Sequence, residues 1–302
     1  MRFLDVKTDF AFKKVFGSEN SKLILIDFLN AMIDFGGDSI TDLTIVDPYQ
    51  IPIIRGMKDS YVDVKAVLSN KTNIIIEMQV LNVQGFEHRV LYNAAKSYSS
   101  QLMRAQAYNA IEPIIALTIT DFLMFPEFAK VFSYWQLREQ ETLLKYNDDI
   151  QLIFAELPKF TKTEDELDGI TDKWLYFIKN AGELDFVPES FTENALLEAF
   201  KMANQAGLEP EELEMQHKRR DFIILQRGSI EKAMNDGMQK GMQKGMEKGI
   251  EKGMKLGKTE VTKELAARML NDKLPLDLIQ KYTSLSIEQI EAIKHDLMQS
   301  DR

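Results

Sequence analysis

The chain has no cysteine among its 302 residues. That excludes disulfides, thiolate metal sites and cysteine nucleophiles together, and it suits a reducing, cytoplasmic setting. Histidine is nearly as scarce. His88, His217 and His295 lie far apart and share no metal-ligand spacing, which argues against a zinc centre. No window holds about 18 uninterrupted apolar residues, so no membrane-spanning helix is expected. The opening segment, MRFLDVKTDF, brings in Asp5 and Lys7 early and does not read as a signal peptide. Basic charge is also short: 37 Lys and Arg stand against 47 Asp and Glu, a net charge of −10. Broad coating of nucleic acid is therefore disfavoured. The acid is concentrated, however, with nine Asp and Glu against one Lys between 183 and 214. The first 30 residues, with five basic and four acidic side chains, leave room for a local DNA-binding face.

What remains is an ordinary soluble composition, 45% hydrophobic and 28% charged. Phe12, Val15 and Phe16 share one face of a helix that Thr8 can cap and Gly17 ends. A second amphipathic helix spans 21–33. Residues 42–54 alternate and contain Pro48 and Pro52, which predicts short or edge strands. A long helix is expected over 85–108, with Phe86, Val90, Ala94, Tyr98 and Leu102 at helical spacing. The apolar, β-branched run 112–120 predicts a strand buried on both faces. A further strand pair is expected at 131–138 and 150–156, and a helical, acidic region follows from about 160.

The segment 61–80, YVDVKAVLSNKTNIIIEMQV, reads as a hairpin. On one strand Val62, Val64, Ala66 and Leu68 alternate with Tyr61, Asp63, Lys65 and Val67. On the other, Ile74, Ile76, Met78 and Val80 alternate with Ile75, Glu77 and Gln79. The turn chemistry of SNKTN, with an odd-numbered loop centred on Asn70, sets Asp63 across from Glu77 on the same face. Like charges so placed repel unless a cation lies between them. Hard oxygen ligands suit Mg2+ or Mn2+. Gln79 points to the same face and can donate to water or to a phosphate oxygen. The alternative reading makes both acids strand residues, paired with Lys65 or with Lys13 and Lys14.

The tail carries an internal repeat, GMQKGMQKGMEKGIEKGMKLGK, with glycine at 237, 241, 245, 249, 253 and 257. Four residues turn an α-helix by about 400°, so the glycine row drifts about 40° per repeat. Each interior glycine costs roughly 1 kcal/mol against alanine. Close approach of another copy of the same helix would offset that cost, so a homo-oligomer through this repeat is expected. Seven lysines between 240 and 263, against three glutamates, read as a solvated face or as a DNA contact. Two short helices follow Pro275, and Ser286 with Gln289 forms a capping box at the second.

The acid pair ending an apolar strand resembles the site signature of the PD-(D/E)XK nuclease superfamily. More narrowly, the chain resembles the Rpn group of recombination-promoting nucleases, also labelled transposases. The likeness runs through TDFAFKKVFG at 8–17, DFLNAMI at 27–33, DVKAVLSNKTNIIIEMQV at 63–80, HRVLYNAAKSY at 88–98 and AYNAIEPIIALTITDFLMF at 107–125. It implies an α/β restriction-endonuclease-like core, a mixed central sheet flanked by helices, and metal-dependent cleavage of DNA. Asp63, Glu77 and the backbone carbonyl of Met78 would hold the metal. Gln79 stands where the superfamily usually has lysine and cannot act as a general base near neutral pH. Asp9 is a candidate accessory acid, and Arg89 and Tyr92 are candidates to reach the phosphate. The expected organisation is a nuclease domain over 1–160, an acidic helical region over 161–235, and the repeat helix with a helical hairpin over 236–302. The rival expectation is a DNA-binding or self-assembling accessory protein with little or no turnover.

Overall fold

The computed structural model describes residues 2–50, 60–102 and 105–300, with side chains to residue 297. Helix α1, Asp9–Phe16, buries Ala11, Phe12, Val15 and Phe16 and ends at Gly17. Thr8 stands at its N-cap position without capping it; the hydroxyl donates to the Asp5 carbonyl instead (2.8 Å). Helix α2, Lys22–Met32, follows the periodicity of its sequence. Strand β1, Leu43–Val46, is an edge strand, and β2, Tyr49–Gln50, pairs with β3, Ser60–Tyr61, in a separate ribbon. The expected strand residues 51–54 lie outside the described residues.

Strands β4, Val64–Leu68, and β5, Asn73–Gln79, form the hairpin. Val64 faces Ile76 and Val67 faces Asn73, the register expected for an odd loop centred on Asn70. Lys71 takes φ 70°, and the Asn70 side chain accepts the Thr72 N–H, so a three-residue loop closes the pair. The alternation breaks at one point. Val64 and Ala66 face the large core, but Val62 joins Ile75 in the smaller core on the opposite face. The chain bends at Asp63, because β3 pairs with β2 rather than extending β4.

Helix α3, Phe86–Ser99, starts from Gly85 in the left-handed region and is shorter than expected. Leu102 lies beyond its end, and residues 103–104 of the expected helix are outside the described residues. The Ser99 and Ser100 hydroxyls bond back to the carbonyls of Lys96 and Ser97, drawing the chain out of the helix. Strand β6, Ile114–Thr120, is buried at every position. β7, Phe132–Trp135, runs antiparallel to β8, Ile150–Glu156. The six-stranded sheet has the order β1-β4-β5-β6-β8-β7, with β5, β6 and β8 parallel and the rest antiparallel. It is a mixed α/β sheet with helices on both faces.

Helices α4, Gly169–Asn180, and α5, Asn194–Ala203, share the large core with α1 and α2. Trp174 packs on Phe16 and Phe28 and donates its indole N–H to Asp27 (2.7 Å). A Cβ on Gly182 would sit 2.8 Å from Asp5, so the approach of the N-terminal segment requires glycine there. Helix α6, Pro210–Asn271, is a single run of 62 residues. Helices α7, Leu276–Thr283, and α8, Ile287–Ser300, come after it. The expected capping box is present: Gln289 accepts the Ser286 N–H, and Ser286 accepts the Gln289 N–H. The chain divides into two compact units, one ending at Arg227 and one beginning at Gly228. Ala266, Ile279 and Ile290 form a small core within the second.

Glu156, wholly buried at the end of β8, holds the loop that follows β6 in place. Its carboxylate accepts the N–H groups of Met124 (2.7 Å) and Phe125 (3.2 Å) and pairs with Lys159. Glu156→Ala would leave the Lys159 ammonium buried without its acid, and is expected to cost roughly 3–5 kcal/mol in denaturant unfolding. A loss below about 1 kcal/mol would mean that the loop relaxes and hydrates the lysine.

Candidate active site

The expected site residues converge at the open end of the β4–β5 hairpin. Asp63, Glu77, Met78, Gln79, Asp9 and Arg89 line one cleft of about 400 Å³. Tyr92 is not part of its lining; it borders an adjoining hollow that shares Arg89 with the cleft.

The bend at Asp63 has a local cause. With β4 starting only at Val64, the Met78 N–H lacks a strand partner, and the Asp63 carboxylate accepts it (2.7 Å). N–H and C=O of one strand residue point to the same side, so the Met78 carbonyl also faces the open end of β4. The other neighbours of Asp63 are Asp9 and Lys13. Lys13 pairs with Asp9 at 2.7 Å and stands 3.6 Å from Asp63. Burial, reinforced by Asp9, pushes the Asp63 carboxyl up to about 7, against the pull of the Met78 N–H and Lys13. Burial, the largest single influence, opposes ionisation of Asp9, but the hydrogen bonds with Lys13 and Asp63 and the charges of Lys13 and Arg219 together outweigh it and hold Asp9 below the usual range. The lysine in turn is held above its ordinary value, its burial outweighed by the two acids.

Glu77 faces α3. Its carboxylate pairs with Arg89 at 2.8 Å, and burial still raises its pKa despite that guanidinium. Asn93, also on α3, lies close enough to favour the charged form, yet among the described residues neither of its amide atoms has a hydrogen-bond partner. The same arginine donates to the Gln79 side-chain oxygen (2.7 Å), and the Gln79 amide nitrogen donates to the Leu81 carbonyl (2.8 Å). Arg89 lies over the Phe86 ring. It thus bridges the acid and the amide of one strand, one turn inside α3.

Among the lining residues not singled out in the sequence are Arg219, Phe222 and Ile223, all on α6. Nothing local in the sequence marks them, since α6 reaches the cleft only through tertiary packing. Among the described residues no group of three or more His, Asp or Glu stands in metal-holding geometry, because Glu77 turns to Arg89 while Asp9 and Asp63 turn to Lys13.

An α/β domain with a mixed sheet, and two acids where its central hairpin opens, defines a restriction-endonuclease-like protein. A family model described as PD-(D/E)XK nuclease family transposase matches residues 6–233, and the chain belongs to that family. No curated protein and no solved structure matches it. No helix among the described residues is long and apolar enough to cross a membrane.

The raised Asp63 pKa means that the metal-free folded state holds this proton more tightly than the unfolded chain does. The resulting stability is complete below about pH 4 and is lost as pH rises through about 7. Asp63→Asn, neutral and of the same shape, is expected to melt a few degrees higher than the parent at about pH 8 in EDTA. The difference should close toward pH 4. An equal or lower melting temperature at the higher pH would show that Asp63 carries no burden of charge.

Proposed function

We propose that the chain is a divalent-metal-dependent DNA endonuclease, hydrolysing phosphodiester bonds in the cytoplasm during recombination or mobile-element movement. One observation carries the reading: two largely buried carboxylates, Asp63 and Glu77, open into one cleft beside a strand end whose Met78 N–H bonds to Asp63 rather than to a neighbouring strand. Burying acids there is costly unless a cation compensates them, and membership of a nuclease family supports the same chemistry.

By the chemistry of their oxygens, Asp63, Glu77 and the Met78 carbonyl would suit Mg2+ or Mn2+ once Glu77 leaves Arg89; such ions take one or two carboxylates and fill the remaining positions with water and substrate oxygens. Such an ion, when bound, polarises the phosphate and lowers the pKa of an attacking water. The remaining work belongs to the chain. Arg89, freed from Glu77, can offer its fork to a phosphate oxygen. Lys13 stays protonated and balances Asp9 and Asp63. Gln79 orients but cannot take a proton. The second reading, a DNA-binding accessory protein with little turnover, is favoured by one detail. Both ends of the Gln79 amide are already engaged, by Arg89 and by Leu81. In the second unit, Met238, Met242, Met246, Ile250 and Met254 are exposed at four-residue spacing, which supports self-association through the repeat helix.

Supercoiled plasmid should be nicked or linearised with Mg2+ or Mn2+ and left intact in EDTA. Asp63→Ala and Glu77→Ala should each lower the rate by about a hundredfold or more. Metal-dependent cleavage that survives in both variants would remove this site from the proposal. Clean protein that binds DNA without cutting it would select the accessory reading.

A separate readout needs no turnover. At about ten times its dissociation constant, Mg2+ should add about 1.4 kcal/mol of stability to the parent chain. Glu77→Ala should lose most of that gain. A metal-induced shift of equal size in parent and variant would locate the ion elsewhere.

A further inference from the structure

Helix α6 is attached to the first unit on both sides of the cleft. At one end the Thr8 hydroxyl reaches Gln216, which is buried (3.5 Å). At the other, Arg227 pairs with the Asp121 carboxylate and donates to the Val80 carbonyl (3.3 Å). Thr8 adjoins Asp9 at the start of α1, while Val80 and Asp121 follow the ends of β5 and β6. The eleven residue steps of helix from Gln216 to Arg227 cover about 16 Å. Gln216, Arg219, Ile223 and Arg227 recur at spacings of three and four and so share one face. That face is turned to the carboxylates, since Arg219 and Ile223 line the same cleft.

The cations of the cleft are not equivalent. Lys7 is paired with Asp5, Lys13 with Asp9, and Arg89 with Glu77. Arg219 makes no hydrogen bond or ion pair among the described residues; its guanidinium stands over the Phe222 ring at 5.6 Å. Phe222 is 47% exposed and also lines the cleft. A guanidinium that no acid holds in an ion pair, though its charge is felt at Asp9, beside an exposed aromatic face, combines a bidentate phosphate ligand with a stacking platform for a base. Bases inside a duplex are stacked on one another, so such a platform serves an unpaired base.

We infer that α6 is a strap over the proposed nuclease site, and that Arg219 and Phe222 on it hold one nucleic-acid strand, the first by a phosphate and the second by an unpaired base. The inference rests on the nuclease reading and adds the element that grips the substrate. Arg219 is a binding residue, separate from the acids at which cleavage would occur.

The test is fluorescence anisotropy of a labelled single-stranded DNA oligonucleotide, and of its duplex, on the full chain with Ca2+ in place of Mg2+, from about 50 to about 200 mM salt. Arg219→Ala should weaken binding of the single strand several-fold and reduce the slope of log affinity against log salt by about 1. Arg219→Lys should restore most of the slope. Phe222→Ala should weaken the single strand several-fold and leave the duplex nearly unchanged. Both residues are exposed, and unchanged melting temperatures would confirm intact variants. Parent-like affinity and slope in Arg219→Ala, with a parent chain that binds and cuts, would overturn the strap's role while leaving the nuclease reading in place. Parent-like single-strand binding by Phe222→Ala would overturn the assignment of a stacked base. A parent chain that neither binds nor cuts would overturn both the nuclease reading and this inference.

Discussion

The register of one hairpin governs the site. A three-residue loop with Lys71 in the left-handed region locks Val64 against Ile76. The side-chain period of a strand is two, so a slip of one residue would send every side chain of β5 to the opposite face. Ile74 and Ile76 would leave the large core, and Glu77 would be driven into it. Burial of those isoleucines is therefore what holds Glu77 in the cleft. The bend at Asp63 completes the arrangement, because β4 begins at Val64, two residues short of the position opposite Met78, and leaves the Met78 N–H to a carboxylate.

The acids are folded in with their charges answered from two directions. Lys13 on α1 answers Asp9 and Asp63, and Arg89 on α3 answers Glu77. The two helices pack on opposite faces of the sheet, α1 on the large core and α3 on the smaller ones. The cleft lies where both layers end, and only there can cations from both reach the same strand ends. The compensation is incomplete, since burial leaves Asp63 and Glu77 with raised pKa values. A site that is strained in this way favours a further positive charge.

Beyond the cleft the two units differ in how they are held together. The first has a continuous core, with the aromatic cluster around Trp174 and the buried Glu156–Lys159 pair pinning its loops. In the second, the repeat part of α6 is exposed throughout, and a Cβ at any of its six repeat glycines would meet no neighbour among the described residues. A helix of that composition draws little stability from propensity.

Much of this was legible in the chain itself. Apolar alternation and turn chemistry marked the β4–β5 hairpin and, for an odd-numbered loop centred on Asn70, the register that forms. β6 announced itself as a continuous apolar run, and the capping box at Ser286 and Gln289 formed as written. Asp63, Glu77 and Gln79 could be named for the same reason: neighbours in a hairpin are set by local spacing. Tertiary structure decided the rest. The face of Val62 depends on β3 choosing β2 as its partner, and the end of α3 depends on serine hydroxyls competing for its last carbonyls. Arg89 binds Glu77 and Gln79 together, and Arg219 enters the cleft, only because separate helices dock on one sheet. No spacing along the sequence encodes a contact between elements that meet only when the core closes.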